Sequence, residues 1–395
     1  FKPFEYLDTD SYTVYLSDEI KKKPAIRAED ISIFDGHREN FYDWQFETGD
    51  DIDFTPPHVE SHFPSDKKSG YRNSILQIYF SEPVDPTVTQ GYFSSSSIFN
   101  NLVVDSSSTL DIKGEWKLSN GYTVAEFVPE DECGLNTCGD IMFCLPVDCT
   151  DCEEKYEILV RTAELLGNDP DVPFAAELFT GVYDLAGNAL NGDEIEEGVE
   201  RVAEGQPGGD PENFIRDEDR IRDNDWWNFD ISSRIDRSAP YIEYITPGID
   251  EEDVKGFANV DIRFNEVMWA RTLRDFVKLD EYKENHCYDI DGRTVCLSNL
   301  WQAVRSNLVD ASGQKAADGE KTLVSIIHRE FGPNNTDLYY FPKVFSQVKD
   351  ANQNCFYPGR GPKVDPSSGN TTECHVNYNE DGIFQDQTDC IEMEN

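Results

Sequence analysis

The chain has 395 residues, enough for two ordinary domains, and its 38% hydrophobic and 12% aromatic content suffices to bury cores, which excludes wholesale disorder. Seventy-eight acidic residues against 34 basic ones leave a formal charge of −44. Such a balance excludes nucleic acid and anionic membrane surfaces as partners, and it favours bound divalent cations or a saline medium.

The chain starts at Phe1, with neither an initiator Met nor an apolar signal region, so a mature product or an excised fragment is expected. No apolar run reaches the ~20 residues of a membrane helix, so no membrane insertion is expected. The first strong signal is Trp44-Gln-Phe-Glu-Thr-Gly-Asp-Asp-Ile-Asp-Phe-Thr-Pro-Pro57, because a relative of it recurs at Trp227 to Pro240. At one constant offset Trp44 matches Trp227, Phe46 matches Phe229, Ile52 matches Ile235, Asp53 matches Asp236 and Pro64 matches Pro247. A residue further out of step, Ile75 to Val84 parallels Val260 to Val267.

Each repeat reads as β. Alternation is plain in Ile75, Gln77 and Tyr79 against Leu76, Ile78 and Phe80, and again in Val260, Ile262 and Phe264. Further strands are predicted over Tyr122–Val128, Tyr156–Arg161, Thr322–Ile327 and Leu338–Phe341, and a short helix over Trp301–Leu308. Cys287-Tyr-Asp-Ile-Asp-Gly-Arg-Thr-Val-Cys296 reads as a hairpin with an Asp-Gly turn and a disulfide across it. Many short strands with Pro- and Gly-bounded loops point to β-sandwiches.

Ten cysteines divide evenly between the repeats: Cys133, Cys138, Cys144, Cys149 and Cys152, then Cys287, Cys296, Cys355, Cys374 and Cys390. Without a second pair at zinc-finger spacing, Cys149-Thr-Asp-Cys152 is not a metal knuckle, and its acidic setting disfavours a reactive thiolate. Structural disulfides in an oxidising compartment are the reading. Five per half is an odd number, so one bridge crosses halves or chains, or thiols stay free. The sequons at Asn334 and Asn370 offer N-glycan acceptors in turn-like sequence, consistent with a secreted or cell-surface protein.

Thr55-Pro-Pro-His-Val59, Phe80-Ser-Glu-Pro-Val84, Tyr156-Glu-Ile-Leu-Val160 and Asp184-Leu-Ala-Gly-Asn188 follow one another in order, and the second repeat shows Ser238-Ala-Pro-Tyr-Ile242, Phe264-Asn-Glu-Val267 and Asp350-Ala-Asn-Gln-Asn354. This series resembles the tandem bacterial Ig-like modules of S-layer and other cell-surface proteins, over most of residues 54–390. The chain departs from that pattern in its cysteine-rich insertions, its acidic Asn191–Asp225 segment and Gln353 in place of the usual glycine. The resemblance implies adhesive, spacer or structural roles rather than one chemistry. It also implies that the Asp-x-x-Gly-Asn turn precedes a closing strand of Trp-x-Phe type.

The first repeat obeys that order through Trp227-Asn-Phe229, whereas the second reaches Asn395 without a closing Trp-x-Phe. Trp44-Gln-Phe46, by contrast, follows too little sequence to close a sandwich of its own. The expected fold class is therefore all-β: an N-terminal extended donor-like segment (1–53), Ig-like sandwich 1 (54–236) and Ig-like sandwich 2 (237–395), the last lacking its closing strand. In one reading Trp44, Phe46 and Ile52 complete a neighbouring chain's second sandwich, which makes a head-to-tail homopolymer. In the others the chain is cut from a longer tandem array, or the N-terminal strand pairs within its own chain.

Catalytic signatures are absent: there is no G-x-S-x-G, no phosphate-cradling glycine loop and no convincing Cys/His pair, so the protein is not expected to be an enzyme. On a strand His58 and His62 stand about 13 Å apart and are read as surface histidines. Calcium is the cofactor considered, since hard cations want several carboxylate oxygens from a flexible loop. Candidate ligands are Asp50, Asp51 and Asp53 at the first Trp-to-Pro stretch and Asp223, Asp225 and Asp236 at the second. Alternation places Trp226 and Trp227 on opposite faces, one in the core and one outside it. The function expected is an extracellular structural subunit; a cell-surface adhesin or carbohydrate-binding tandem module, with glycans as partners, is the alternative.

Overall fold

The computed structural model describes residues 11–16, 42–48, 52–94, 100–108, 110–148, 153–165, 179–192, 224–248, 251–283, 302–328, 330–331 and 338–357, with short strands at 288–290, 293–295, 297–299, 361–364 and 371–374. Packing divides the chain into Phe1–Phe54 and Thr55–Asn395. In the first unit β1 (Ser11–Leu16) and β2 (Tyr42–Glu47) form an antiparallel pair, with Tyr12 opposite Phe46 and Val14 opposite Trp44. The strand that carries Trp44 and Phe46 is therefore paired within its own chain: Tyr12, Val14 and Leu16 give β1 the period-2 pattern that pairs it with β2.

The second unit holds two sandwiches. In sandwich 1 the chain runs through β3 (Val59–Phe63), β4 (Ser69–Tyr71), β5 (Leu76–Phe80), a single turn of helix α1 (Pro86–Thr89) capped by Asp85, β6 (Gly91–Ser94), β7 (Leu102–Ser106), β8 (Lys113–Ser119) and β9 (Val124–Pro129). The hairpin β10 (Asp131–Leu135) and β11 (Ile141–Cys144), then β12 (Glu153–Val160), the short β13 (Glu164–Leu165) and β14 (Phe179–Thr180), and β15 (Asp225–Ser232) complete it. One sheet is ordered β3-β5-β9-β8-β6 and the facing one β4-β15-β12-β7. Leu76, Ile78 and Phe80 of the first sheet meet Ile158, Trp227 and Phe229 of the second in one buried core. The closing strand stands where the Trp-x-Phe pattern predicts: β15 runs antiparallel to β12, with Trp227 opposite Ile158 and Phe229 opposite Tyr156. Trp227 is buried while Trp226 is only partly so, as alternation requires.

Sandwich 2 follows through β16 (Ile242–Thr246), β17 (Val260–Phe264), α2 (Ala270–Phe276), β18 (Val277–Lys283), the hairpin β19 (Tyr288–Ile290) and β20 (Arg293–Val295), β21 (Leu297–Asn299), β22 (Gln302–Val309), β23 (Lys321–His328) and β24 (Leu338–Val344). Its sheets are β16-β17-β23-β22 and β21-β18-β24, with Val260, Ile262 and Phe264 packed against Val277, Leu279 and Val324. A last pair, β25 (Gly361–Val364) and β26 (Thr371–Cys374), forms a separate ribbon. Here β24 pairs with β18 as β12 pairs with β7 in sandwich 1. Among the described residues no strand of sandwich 2 takes the place of β15.

Two expectations are corrected. The predicted helix over 301–308 is strand β22, because Val304, Ser306 and Leu308 alternate inward while paired to β23; the buried Ser306 hides the period in the sequence. His62 is not a surface residue: it is 5% exposed, stacked on Trp227 at 4.0 Å, with Nδ1 3.0 Å from the Pro64 carbonyl. A bulge between Val59 and Ser61 breaks the simple alternation on which the reading of His58 and His62 rested.

Candidate functional site: the seam between the two sandwiches

β5 and β9 are buried on both faces. Leu76, Ile78, Ala125 and Phe127 point into core 1, while Tyr79 and Val124 join Val267, Ala270, Leu308 and Ala351 of sandwich 2 in a smaller apolar cluster. The polar members of that second face, Gln77 and Glu126, are fully buried. A buried polar group destabilises unless it is hydrogen-bonded, and here the partners come from the other sandwich. Gln77 Nε2 donates to the Met268 carbonyl at 3.1 Å, and the Arg271 amide donates to Glu126 Oε1 at 3.0 Å. Asn120 and Ser306 exchange a reciprocal pair, side-chain amide to carbonyl at 2.9 Å and backbone amide to side-chain oxygen at 2.8 Å.

The densest part of the seam surrounds the turn Asp350–Asn354. Gln353 lies at φ +68°, the left-handed region that its glycine counterpart Gly187 occupies at +96°. Its side chain explains why a glycine does not serve here. Nε2 donates to the carbonyls of Asn73 (2.9 Å) and Phe143 (2.6 Å), and Oε1 accepts from the Phe143 amide (2.9 Å). Asn73 in turn donates to the carbonyls of Asn352 (2.6 Å) and Asp236 (2.9 Å), and Asn136 donates to the Gln353 carbonyl (2.7 Å). Asp236, in the connection between sandwiches, is held from both sides, since Asn352 donates to its carboxylate at 3.0 Å.

A covalent bond closes the seam. Cys138 of sandwich 1 is bonded to Cys355 of sandwich 2, across 217 residues of sequence, while Cys133–Cys144 staples the β10–β11 hairpin. The crossing bond is one of the arrangements that five cysteines per half leave open. Cys149, Cys152, Cys287, Cys296 and Cys390 lie outside the described residues, as do Asn334 and Asn370; Cys374 ends β26. β19 and β20 form the predicted hairpin around residues 291–292.

Carboxylates converge at the same place. Asp236, Glu266 and Asp350 bring ligand oxygens within 4.8 Å of one another, with Asp350 buried. Burial, with Glu266 and Asp236 close by, pushes the Asp350 carboxyl well above the usual carboxylate range. Of the expected calcium ligands only Asp236 belongs to this group. Asp225 is buried at the start of β15, Asp53 is exposed in the N-terminal unit, and Asp50, Asp51 and Asp223 lie outside the described residues. The repeat register gives Asp236, Glu266 and Asp350 sequence counterparts at Asp53, Glu82 and Asp184, a signal that clusters of adjacent aspartates obscured. Trp44 and Phe46 sit in β2, and Ile52 is 71% exposed after it.

No family profile and no curated protein match the chain. Among solved structures, the crystal structure of the S-layer protein rSbsC(31-844) aligns with 80% of this chain and 62% of its own, less than two thirds of that structure, at 10% identity and a TM-score of 0.17. A superposition that poor does not mark a shared fold. Among the described residues no helix is long and apolar enough to cross a membrane.

Proposed function

We propose that the protein is a structural element of an extracellular surface array, in which Ig-like sandwiches are joined in series into stiff, load-bearing stretches. The observation that carries this reading is the seam. A flexible connector would leave the polar outer faces of β5 and β9 in water, whereas here they are buried, hydrogen-bonded across the boundary and tied by Cys138–Cys355. Disulfides persist in oxidising surroundings, which supports a location outside the cell. Calcium held by Asp236, Glu266 and Asp350 would neutralise carboxylates that otherwise repel at the joint. The N-terminal hairpin joins the stretch to a neighbouring module by strand complementation.

The crossing disulfide has a mechanical consequence. Force applied to the chain ends bypasses the chain between Cys138 and Cys355, which stand 217 residues apart in sequence, and passes through the seam. At about 3.3–3.6 Å per extended residue, roughly 700 Å of chain is withheld from extension. Single-molecule pulling on the full chain is expected to release that length only under reductant, and only at forces that unfold a sandwich. Parting of the seam under reductant at forces too low to unfold either sandwich would overturn the structural reading. Tight, saturable binding to a glycan array would favour the adhesin instead.

A further inference from the structure

We infer that the β1–β2 hairpin is the closing pair of strands of a third sandwich, and that its partner is a module of this repeat type lacking its own last two strands. The inference rests on the structural reading above and names the neighbour to which the N-terminus joins. Its basis is register. In sandwich 1, β12 and β15 place Tyr156 opposite Phe229 and Ile158 opposite Trp227. In the N-terminal unit, β1 and β2 place Tyr12 opposite Phe46 and Val14 opposite Trp44, in the same antiparallel sense. The sequence repeat begins at Trp44 and Trp227 and does not extend to β1. Even so, a tyrosine stands two residues before a β-branched apolar residue in both strands, and Leu16 falls at the place of Val160.

In sandwich 1 the five residues concerned, Tyr156, Ile158, Val160, Trp227 and Phe229, are at most 1% exposed and form part of the core. Their alternates face the other way. In β1, Tyr12 and Val14 are half-buried while Thr13 and Tyr15 are exposed; in β12 the alternates Glu157 and Leu159 are buried as well, against other parts of the fold. A one-residue slip would turn every side chain to the opposite face, so a matching pairing register is a demanding coincidence. The surface that covers such a pair is known from sandwich 1: an apolar sheet built like β3-β5-β9.

The register also selects among partners. A second copy of this chain offers sandwich 2, but there β24 already fills the place of β12, paired to β18. Sandwich 1 owns both strands. A hairpin that brings its own counterpart of β12 therefore fits neither, and it fits a module that has given up both positions. This occupant differs from the homopolymer expected from the sequence, in which a single donated Trp-x-Phe strand completes the second sandwich of another copy.

Two arms test this in the full chain. In the first, the acceptor is the full chain with residues 153–160 and 225–232 deleted and its own hairpin disabled by Trp44→Asp and Phe46→Asp, co-expressed with wild type and read by native mass spectrometry. A one-to-one complex is expected, lost when the wild-type partner carries Trp44→Asp and Phe46→Asp. An acceptor that stays alone, or that binds the double variant equally, overturns the proposal. The second arm grafts the sequence of β1 onto residues 155–160 and that of β2 onto residues 225–230, and compares it with the reverse placement of the two strands. The direct graft should melt within about 10 °C of the parent and the reversed graft should not fold. Equal behaviour of the two grafts, folded or unfolded, overturns the inference. Neither arm touches the seam, so a failure here leaves the pulling experiment to judge the structural reading by itself.

Discussion

The turns Asp184–Asn188 and Asp350–Asn354 are two copies of one device put to different uses. In both, the aspartate is buried and its Oδ1 accepts the backbone amide four residues on, at 2.7 Å in the first and 2.6 Å in the second. In both, the asparagine amide returns to the second carboxylate oxygen. They differ at the fourth position. Gly187 has open space where a Cβ would stand and Leu185 beside it is 54% exposed, whereas Gln353 is buried and bonds three backbone groups of the neighbouring sandwich. The difference teaches how a repeat becomes a joint: a residue that backbone preference disfavours is kept where its side chain reaches the next module.

Replacing Gln353 with Ala should break this contrast most severely. The left-handed backbone would keep its cost of about 1–2 kcal/mol for a non-glycine residue. The Phe143 amide and the Asn73 and Phe143 carbonyls would also lose their seam partner. At about 1–3 kcal/mol for each buried group left unpaired, a loss on the order of 3 kcal/mol is expected in denaturant unfolding. A loss below about 1 kcal/mol would mean that Gln353 does not hold the joint.

The seam is also the part of the molecule least legible in the sequence. The repeat, the strands and the closing Trp-x-Phe of sandwich 1 were legible because period-2 patterns and paired motifs are local. Gln77 and Glu126 read as the wet face of half-buried strands, since nothing nearby in sequence announces that Met268 and Arg271 will cover them. Ser306 concealed a strand for the same reason: its burial depends on Asn120, far away in the chain. Among the acidic residues, Asp236 was singled out for its neighbours in sequence. The residues it meets, Glu266 and Asp350, come from later elements of sandwich 2, and only the repeat register links the three.

Glu126 sharpens the comparison through pH, for it is a seam carboxylate with no counterpart at the free turn. Burial raises its pKa from 4.5 to about 7, against the opposing pull of the Arg271 amide. The folded state therefore holds a proton that the unfolded chain releases near pH 4.5. Stability from this group is present below about pH 4.5, declines as pH rises to about 7, and is flat above that. The full span is worth up to about 3 kcal/mol. Glu126→Gln should remove that slope, matching wild type near pH 4 and exceeding it near pH 8 in urea unfolding. An unchanged difference between the two proteins across this range would show that Glu126 is solvated in the folded protein.

The smallest effect belongs to the free turn, where the seam residue can be tried out of place. Gly187 lies at φ +96° with nothing within 4 Å of its missing Cβ, so Gly187→Gln meets no clash. It does meet the backbone penalty of a non-glycine residue, about 1 kcal/mol. The expected change in thermal unfolding is a small loss. The converse, Gln353→Gly, relieves the same strain at the seam yet should still lose on the order of 2 kcal/mol, because the hydrogen bonds outweigh it. If Gln353→Gly instead gains about as much stability as Gly187→Gln loses, the left-handed position alone sets the energetics and the joint gains nothing from glutamine. If Gly187→Gln costs less than Gln353→Gly, the side chain, not the backbone, decides which copy of the turn becomes a joint.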